Sequence, residues 1–274
     1  MSEQSALSKS KYQVGLIGVG VMGEALISGL ISSRFPKAQI VFTEKRTERA
    51  REISSKYGAR EVDLAELAKT SDVILLVVKP QDLAQLLDSI GADLNKGATL
   101  VSFAAGKTTD FISKVVGPDI SIIRVMPNTP TLVGEGMSAI SCCGLVSEEE
   151  RNFTIGFLEA VGKVIEVDED LQDAVTATSG SGPAYFFRFV EAMVDGATSL
   201  GLSQEDATTL TIQTIVGAAK LLDQSGDSPT VLREKVTSPN GTTFAALNSF
   251  NESDISGVVG KAMKAARDRS QELA

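Results

Sequence analysis

The segment Val14-Gly-Leu-Ile-Gly-Val-Gly-Val-Met-Gly23, followed directly by Glu-Ala-Leu-Ile-Ser-Gly-Leu30, constrains the fold more than any other part of the chain. A β-type apolar run, a glycine turn and an amphipathic helix follow one another without a spacer. Gly18, Gly20 and Gly23 give the G-x-G-x-x-G spacing in the strand–turn–helix setting where that spacing has physical meaning. Gly18 permits a tight turn, Gly20 lets backbone approach a pyrophosphate, and Gly23 lets the helix pack closely on the strand. The helix N-terminus then faces the anion. Gly18, Val19, Gly20, Val21, Met22 and Gly23 are therefore expected to cradle a dinucleotide. A structural glycine turn is the plain alternative. Either way the substrate stays open.

The same apolar-strand pattern recurs. Strands are expected at residues 14–19, 39–43, 73–78, 99–103, 121–125 and 137–141, with a last one at 164–167. Helical periodicity fills residues 22–33, 47–57, 64–70, 81–90 and 109–115. Such alternation predicts βαβ units and a mostly parallel sheet of Rossmann type. The strands are almost continuous Val, Ile and Leu, as helices on both faces require. After about residue 169 strand signals stop. Residues 183–200 are apolar nearly all round, with Arg188, Glu191 and Asp195 on one narrow stripe. Residues 204–222 are similar, and Ile255, Val258, Val259, Ala262, Met263 and Ala266 outline a final amphipathic helix. The expected architecture is α/β: a cofactor domain over residues 1–168, then an all-α domain over 169–274. About a hundred residues cannot bury two such helices alone, so an intertwined homodimer within a larger assembly is expected.

With 274 residues the chain can hold both domains. A net charge of −9 argues against nucleic acid or an anionic membrane as partner. No apolar run reaches membrane-spanning length. The first twelve residues are polar, include Glu3 and show no targeting pattern, so a cytoplasmic protein is expected. Cys142 and Cys143 are adjacent and are the only cysteines, which leaves no disulfide framework. Histidine is absent. That excludes histidine triads, histidine metal sites and a histidine general acid; no metal is expected.

In an open α/β sheet the ligand lies at the carboxyl ends of the strands. Three loops fall there: the glycine turn, Val77-Val78-Lys79-Pro80-Gln81, and Phe103-Ala104-Ala105-Gly106. Lys79 would sit at the crevice, with Pro80 opening the next helix. The end of the second strand bears on the cofactor. Glu44 is placed to accept ribose hydroxyls, favouring NAD, whereas Lys45, Arg46 and Arg49 could clamp a 2′-phosphate. Three cations against one carboxylate tip the expectation to NADP, with NAD still possible. Further on, Ser179-Gly-Ser-Gly-Pro-Ala-Tyr185 opens the most apolar helix. Thr237-Ser-Pro-Asn-Gly-Thr-Thr243 precedes another helix and reads either as an anion pocket suited to a small carboxylate or simply as a capped helix start.

Together these pieces resemble the pyrroline-5-carboxylate reductase family across nearly the whole chain. The matching segments are Gly18-Val-Gly-Val-Met-Gly23, Val78-Lys-Pro80, Ala104-Ala-Gly106, Arg124-Val-Met-Pro-Asn-Thr-Pro130, Ser179–Tyr185 and the loop 238–243. The resemblance implies a Rossmann domain, a helical dimerisation domain, and NAD(P)H-dependent reduction of a cyclic imine to L-proline. With it, the expected cofactor contacts are Gly18–Gly23, Val78, Lys79, Pro80, Ala104, Ala105 and Asn128 in the matching segments, beside Lys45 and Arg46 from the charge pattern after the second strand. It makes Ser238, Gly241, Thr242 and Thr243 substrate residues, with Thr243 hydrogen-bonding the ring nitrogen. It also implies a ring of dimers, often a decamer. Leu64 departs from the polar residue, such as Asn, that several members carry near the start of the third Rossmann helix. Two rivals stand beside this reading. The 3-hydroxyacid dehydrogenases share the N-terminal fingerprint but use a lysine on the long interdomain helix, and residues 183–200 contain none. A non-catalytic NADP sensor would leave the carboxylate pocket without purpose.

Overall fold

The computed structural model describes residue 7 and residues 10–273, so most of the polar leading segment lies outside the described residues. The chain forms two compact units. Residues up to Ser181, together with Ala266–Ala274, make the first, and Gly182–Ala265 make the second.

The first unit is built on one eight-stranded sheet in the order β3-β2-β1-β4-β5-β6-β7-β8. The strands are β1 (Val14–Ile17), β2 (Ile40–Thr43), β3 (Arg60–Glu61), β4 (Val73–Leu76), β5 (Thr99–Ser102), β6 (Ser121–Met126), β7 (Gly136–Cys143) and β8 (Gly162–Glu166). Every pairing is parallel except β6 with β7. The connecting helices are α1 (Val21–Ser32), α2 (Thr47–Tyr57), α3 (Leu64–Thr70), α4 (Pro80–Ile90), α5 (Thr109–Val116) and α6 (Glu148–Glu159).

Successive strand residues point to opposite faces, so each central strand feeds two cores. Leu16, Phe42, Leu75 and Val101 join Leu26, Ile27 and Phe157 in one. Ile17, Val41, Ile74, Leu76 and Leu100 join Leu67, Leu83 and Leu87 in the other. These side chains are buried, and each stabilises the fold by about 1.5–3 kcal/mol relative to exposure. The near-continuous apolar strands thus belong to a sheet covered on both faces.

The strands are mostly shorter than their apolar runs. β1 and β4 end at Ile17 and Leu76, because the next residues leave the ladder to form the loops of interest. Two elements are not legible in the residue order. β3 is only two exposed residues long. α6 opens with Glu148, Glu149, Glu150 and Arg151, which hides the apolar stripe of Phe153, Phe157 and Leu158 behind a charged first turn. The stripe is buried all the same. Phe153 meets Tyr12 and Phe35 edge-on, with ring centroids 4.9 and 5.7 Å apart. α6 starts with a capping box between Ser147 and Glu150.

Past β8 the chain runs through a short helix α7 (Gln172–Val175) directly into a π-helical turn, Thr176–Gly180. The second unit is helical: α8 (Gly182–Ser199), α9 (Gln204–Gln224), α10 (Pro229–Lys235), α11 (Thr242–Glu252) and α12 (Ile255–Glu272), whose last turns belong to the first unit. Its apolar residues are poorly covered within one chain. Phe186, Phe187, Leu210, Ile212, Leu221 and Val258 are all exposed. Among the described residues no helix is long and apolar enough to cross a membrane.

Candidate active site

The glycine turn separates what folding demands from what it leaves free. Gly18 has φ +90°, and a methyl group there would sit 2.5 Å from the Val77 carbonyl oxygen. A methyl at Gly23 would collide with the Gly18 carbonyl. Both glycines are therefore required by the turn and by α1 packing on it. Gly20 is different. It precedes α1, no side chain caps that helix, and a methyl at Gly20 would meet nothing within 4 Å. Open space in front of uncapped helix N–H groups is the geometry of an anion site. The N–H groups of Gly18 and Val19 are already committed, to the Thr43 carbonyl at 3.0 Å and to Glu44 Oε2 at 3.1 Å. Val21 is exposed, while Met22 packs against the first core.

The corner after β2 is rearranged relative to the sequence expectation. Glu44 accepts from the Val19 N–H, from the Arg46 N–H at 3.1 Å and from Arg46 Nε at 3.0 Å. Burial alone would raise its carboxyl, but these bonds together hold it below the usual carboxylate range. Oε2 thus holds the glycine turn against the end of β2, while Oε1 is engaged by Arg46. Arg49 also turns inward. It donates to the Val19 and Gly20 carbonyls and pairs with Glu24 and Glu52. Neither role has a local signal in the residue order, because the bonds to Val19 span 25 and 30 residues of chain. Two cations remain exposed in this corner, Lys45 and Arg46. Arg46 is also the residue before α2, whose first turn has no side-chain cap.

The next two loops lie at the ends of β4 and β5, side by side with the glycine turn in the sheet order. Lys79 is exposed and precedes α4, again without a side-chain cap, with Pro80 as the first helical residue. Val78 is half-buried against the second core. In the β5 loop the Ala104 methyl is buried in that core, Ala105 is half-buried, and Gly106 takes φ +74°. Leu64 also packs on the second core, and Asp63 caps its helix.

Asn128, after β6, is expected to touch the cofactor, but its side chain is engaged within the protein. Oδ1 accepts from the Met137 N–H at 2.8 Å, and Nδ2 donates to the Ser179 carbonyl at 3.1 Å. It ties the loop after β6 to β7 and to the π-helical turn. Gly180 in that turn lies close to Met126: a methyl placed at the glycine would sit 2.5 Å from Met126 Cε. The glycines of Ser179–Tyr185 thus serve packing at least at this position.

In the second unit, Ser238, Pro239, Asn240 and Gly241 form a turn in which the Gly241 N–H donates to the Ser238 carbonyl at 3.1 Å. Asn240 takes a left-handed φ of 57°. A methyl at Gly241 would sit 2.5 Å from Ser238 Oγ, so the hydroxyl folds over a position only glycine leaves room for. Gly241 precedes α11, whose first N–H groups have no side-chain cap. Ser238 and Thr242 are exposed and Thr243 is half-buried. The sequence-predicted substrate residues are therefore contiguous at one helix start.

Among the described residues no cluster of three His, Cys, Asp or Glu side chains could hold a metal. Cys142 and Cys143 are free thiols at the end of β7. Burial, reinforced by Glu166, pushes the Cys142 thiol up to about 11. Neither belongs to the candidate site.

Known proteins match along both parts of the chain. Residues 169–273 match the family model for pyrroline-5-carboxylate reductase dimerisation, and residues 13–106 match that for NADP oxidoreductase, coenzyme F420-dependent. The pyrroline-5-carboxylate reductase of Corynebacterium melassecola is 38% identical over 264 residues, covering 95% of this chain and 98% of that protein. That of Pseudomonas aeruginosa is 39% identical over 267 residues, covering 97% and 98%. Among solved structures, a pyrroline-5-carboxylate reductase from Coxiella burnetii superposes with a TM-score of 0.91 at 33% identity, covering 97% of this chain and 99% of that one. A Plasmodium falciparum pyrroline carboxylate reductase with NADP bound gives 0.86 at 28% identity, covering 96% and 98%. With this agreement along almost its entire length, the chain belongs to the pyrroline-5-carboxylate reductase family.

Proposed function

We propose that the chain reduces 1-pyrroline-5-carboxylate to L-proline with hydride from NADPH, NADH being the alternative donor. The observation that carries this reading is a pair of helix starts entered through glycine and left without side-chain caps, Gly20 before α1 and Gly241 before α11. Each offers backbone N–H groups and a positive dipole end to an anion. The first suits a pyrophosphate, since the space at Gly20 is open; the second suits a small carboxylate beside three hydroxyls.

The residues present fit NADPH. The N–H groups opening α1 would hold the pyrophosphate, while Lys45 and Arg46 at the uncapped start of α2 would take a 2′-phosphate. Glu44 is engaged with Val19 and with Arg46 Nε, so the phosphate would be met by Lys45 and the Nη groups of Arg46. Val78, Lys79, Pro80, Ala104, Ala105 and Asn128 would line the remainder. Bound there, NADPH supplies the hydride.

The protein's own part is orientation. The amide of Thr242, with Ser238 Oγ, fixes the substrate carboxylate, while the Gly241 N–H closes the turn onto the Ser238 carbonyl. Thr243 Oγ1 hydrogen-bonds the ring nitrogen. A protonated imine is already electrophilic, so alignment does most of the work and a histidine acid is unnecessary. The proton that ends on the ring nitrogen enters with the protonated imine.

In this reading residues 1–168 carry the cofactor contacts, and residues 169–274 carry the substrate loop and the subunit contact. The exposed Phe186, Phe187, Leu210 and Ile212 support a homodimer, and a ring of dimers such as a decamer would cover more of the same surface. A cytoplasmic location belongs to the same proposal. The test is a proline-forming assay with purified protein and NADPH. Stoichiometric NADPH oxidation with proline formation is expected. Oxidation of a hydroxyacid, with no imine reduction, would overturn the assignment.

A further inference from the structure

The loop after β5 carries Ala104 and Ala105, and its outer edge is held by residues far away in sequence. Gly106 is buried, with φ +74°. A methyl placed there would sit 3.1 Å from the Ser270 carbonyl oxygen and 3.1 Å from both Cβ and the carbonyl carbon of Leu273. The last turn of α12 therefore lies flat against the glycine.

That turn is itself pinned. Ser270 Oγ donates to Asp173 Oδ1 at 2.6 Å. Asp173 Oδ1 faces Arg124 Nη2 at 3.9 Å, and Arg124 Nη1 donates to Glu169 Oε1 at 3.3 Å. Glu169 then accepts from the Thr109 N–H at 2.8 Å and from Thr109 Oγ1 at 2.6 Å. Thr109 opens α5, at the far end of the same loop. Ser270, Arg124 and Thr109 are all buried. One continuous polar chain thus begins where α12 covers Gly106 and ends where the loop enters α5.

We propose that this chain of groups, Ser270–Asp173–Arg124–Glu169 closing on Thr109, is a positioning device that presets the β5 loop for NADPH. None of these side chains belongs to the proposed cofactor or substrate contacts; they act through the loop they hold. The inference rests on the reading that Ala105 and its neighbours contact the cofactor. A loop that must bring backbone against a flat ligand binds better when already ordered, because the ordering entropy is met on folding. If loosening lowers the fraction of competent loops, apparent affinity falls by that fraction. A brace serving only global stability would change melting and leave affinity alone.

The experiment compares Ser270→Ala, Ser270→Thr and Asp173→Asn with the unmodified protein. Direct readouts are the NADPH dissociation constant from fluorescence titration without substrate, and amide hydrogen exchange across residues 104–109. Ser270→Ala and Asp173→Asn are expected to weaken NADPH binding about fivefold by lowering the competent fraction, with faster exchange at 106–109. The Michaelis constant for the imine should stay level, and Ser270→Thr, which keeps the hydroxyl, should restore most of the affinity. Ala105→Glu in the loop itself separates the two layers. If it weakens NADPH binding while Ser270→Ala only lowers the melting temperature, the positioning role is wrong and the loop assignment stands. If Ala105→Glu leaves NADPH binding unchanged, the loop assignment fails and the positioning role falls with it.

Discussion

The helix starts of this chain divide by what satisfies their first N–H groups. At α3, α5, α6, α9, α10 and α12 a side chain does so: Asp63, Thr108, Ser147, Ser203, Ser228 and Asp254 each accept from an amide three residues on. At α1, α2, α4 and α11 no side chain does, and the preceding residues are Gly20, Arg46, Lys79 and Gly241. The short α7 also lacks a cap, but it continues a helical turn that precedes it. A cap contributes about 0.5–2 kcal/mol, so its absence at four longer helices has a cost. Those four bare starts coincide with the loops assigned to cofactor and substrate. Where a helix only has to be stable its start is closed by its own chain, and where a ligand is expected the amides are left for it.

Gly20 is where this contrast is most open to attack. Gly20→Val should weaken NADPH binding by about a hundredfold or more, because the second glycine is where backbone approaches the pyrophosphate. Its melting temperature should move far less than that of a Gly18 variant, since nothing of the protein lies within 4 Å of the added Cβ. Gly18→Ala should do the reverse and lose about 1–3 kcal/mol of stability, the cost of a left-handed non-glycine residue, in a urea titration. If Gly20→Val binds NADPH normally, the α1 start is not the pyrophosphate site.

At the substrate end, Thr243→Ala should lower turnover about tenfold, the scale of one well-placed transition-state contact. An unchanged turnover number removes Thr243 from the reaction. A capped start supplies the control. Ser147→Ala should cost about 1 kcal/mol of stability and leave both kinetic constants alone. Arg46→Ala should raise the Michaelis constant for NADPH several-fold, on the order of one exposed phosphate contact, and that for NADH much less. Equal effects on the two would remove the 2′-phosphate role.

The smallest effect concerns acid stability near the glycine turn. Glu24, in the first turn of α1, is held down to about 2 by the Lys56 ammonium first, then by Arg49 and Tyr57. Its folded carboxyl titrates below the ordinary 4.5, so its stabilisation is present above that value and is lost as pH falls toward about 2. Glu24→Gln should therefore be less stable than the unmodified protein at pH 6 and nearly equal to it at pH 2 in matched urea titrations. A constant difference across that range would show that the ion pairs are not the cause.

Much of this arrangement can be read from residue order. Central strands of β-branched residues ending in glycine or proline, and helices whose apolar face repeats every three to four residues, are local patterns that the backbone reads locally. The substrate loop is legible for the same reason, since Ser238 to Thr243 are contiguous. α6 is not, because three glutamates and an arginine at its start mask an apolar stripe that only tertiary burial selects. Asn128 marks the limit at the site. Its place in the family segment suggests a cofactor contact, while its amide bridges Met137 and Ser179, which lie 9 and 51 residues further along the chain.

The sequence by itself determined the cofactor class, the alternation of the central strands with their helices, and the exclusion of histidine chemistry, because each depends on residue type and short spacing. Only the tertiary structure decided which polar groups are spoken for. Glu44 and Arg49 bind the glycine turn, Asn128 binds the π-helical turn, and Ser270 reaches Asp173 across 97 residues. A hydrogen bond needs its partners within about 3 Å, and distance along the chain says nothing about that until the chain has folded.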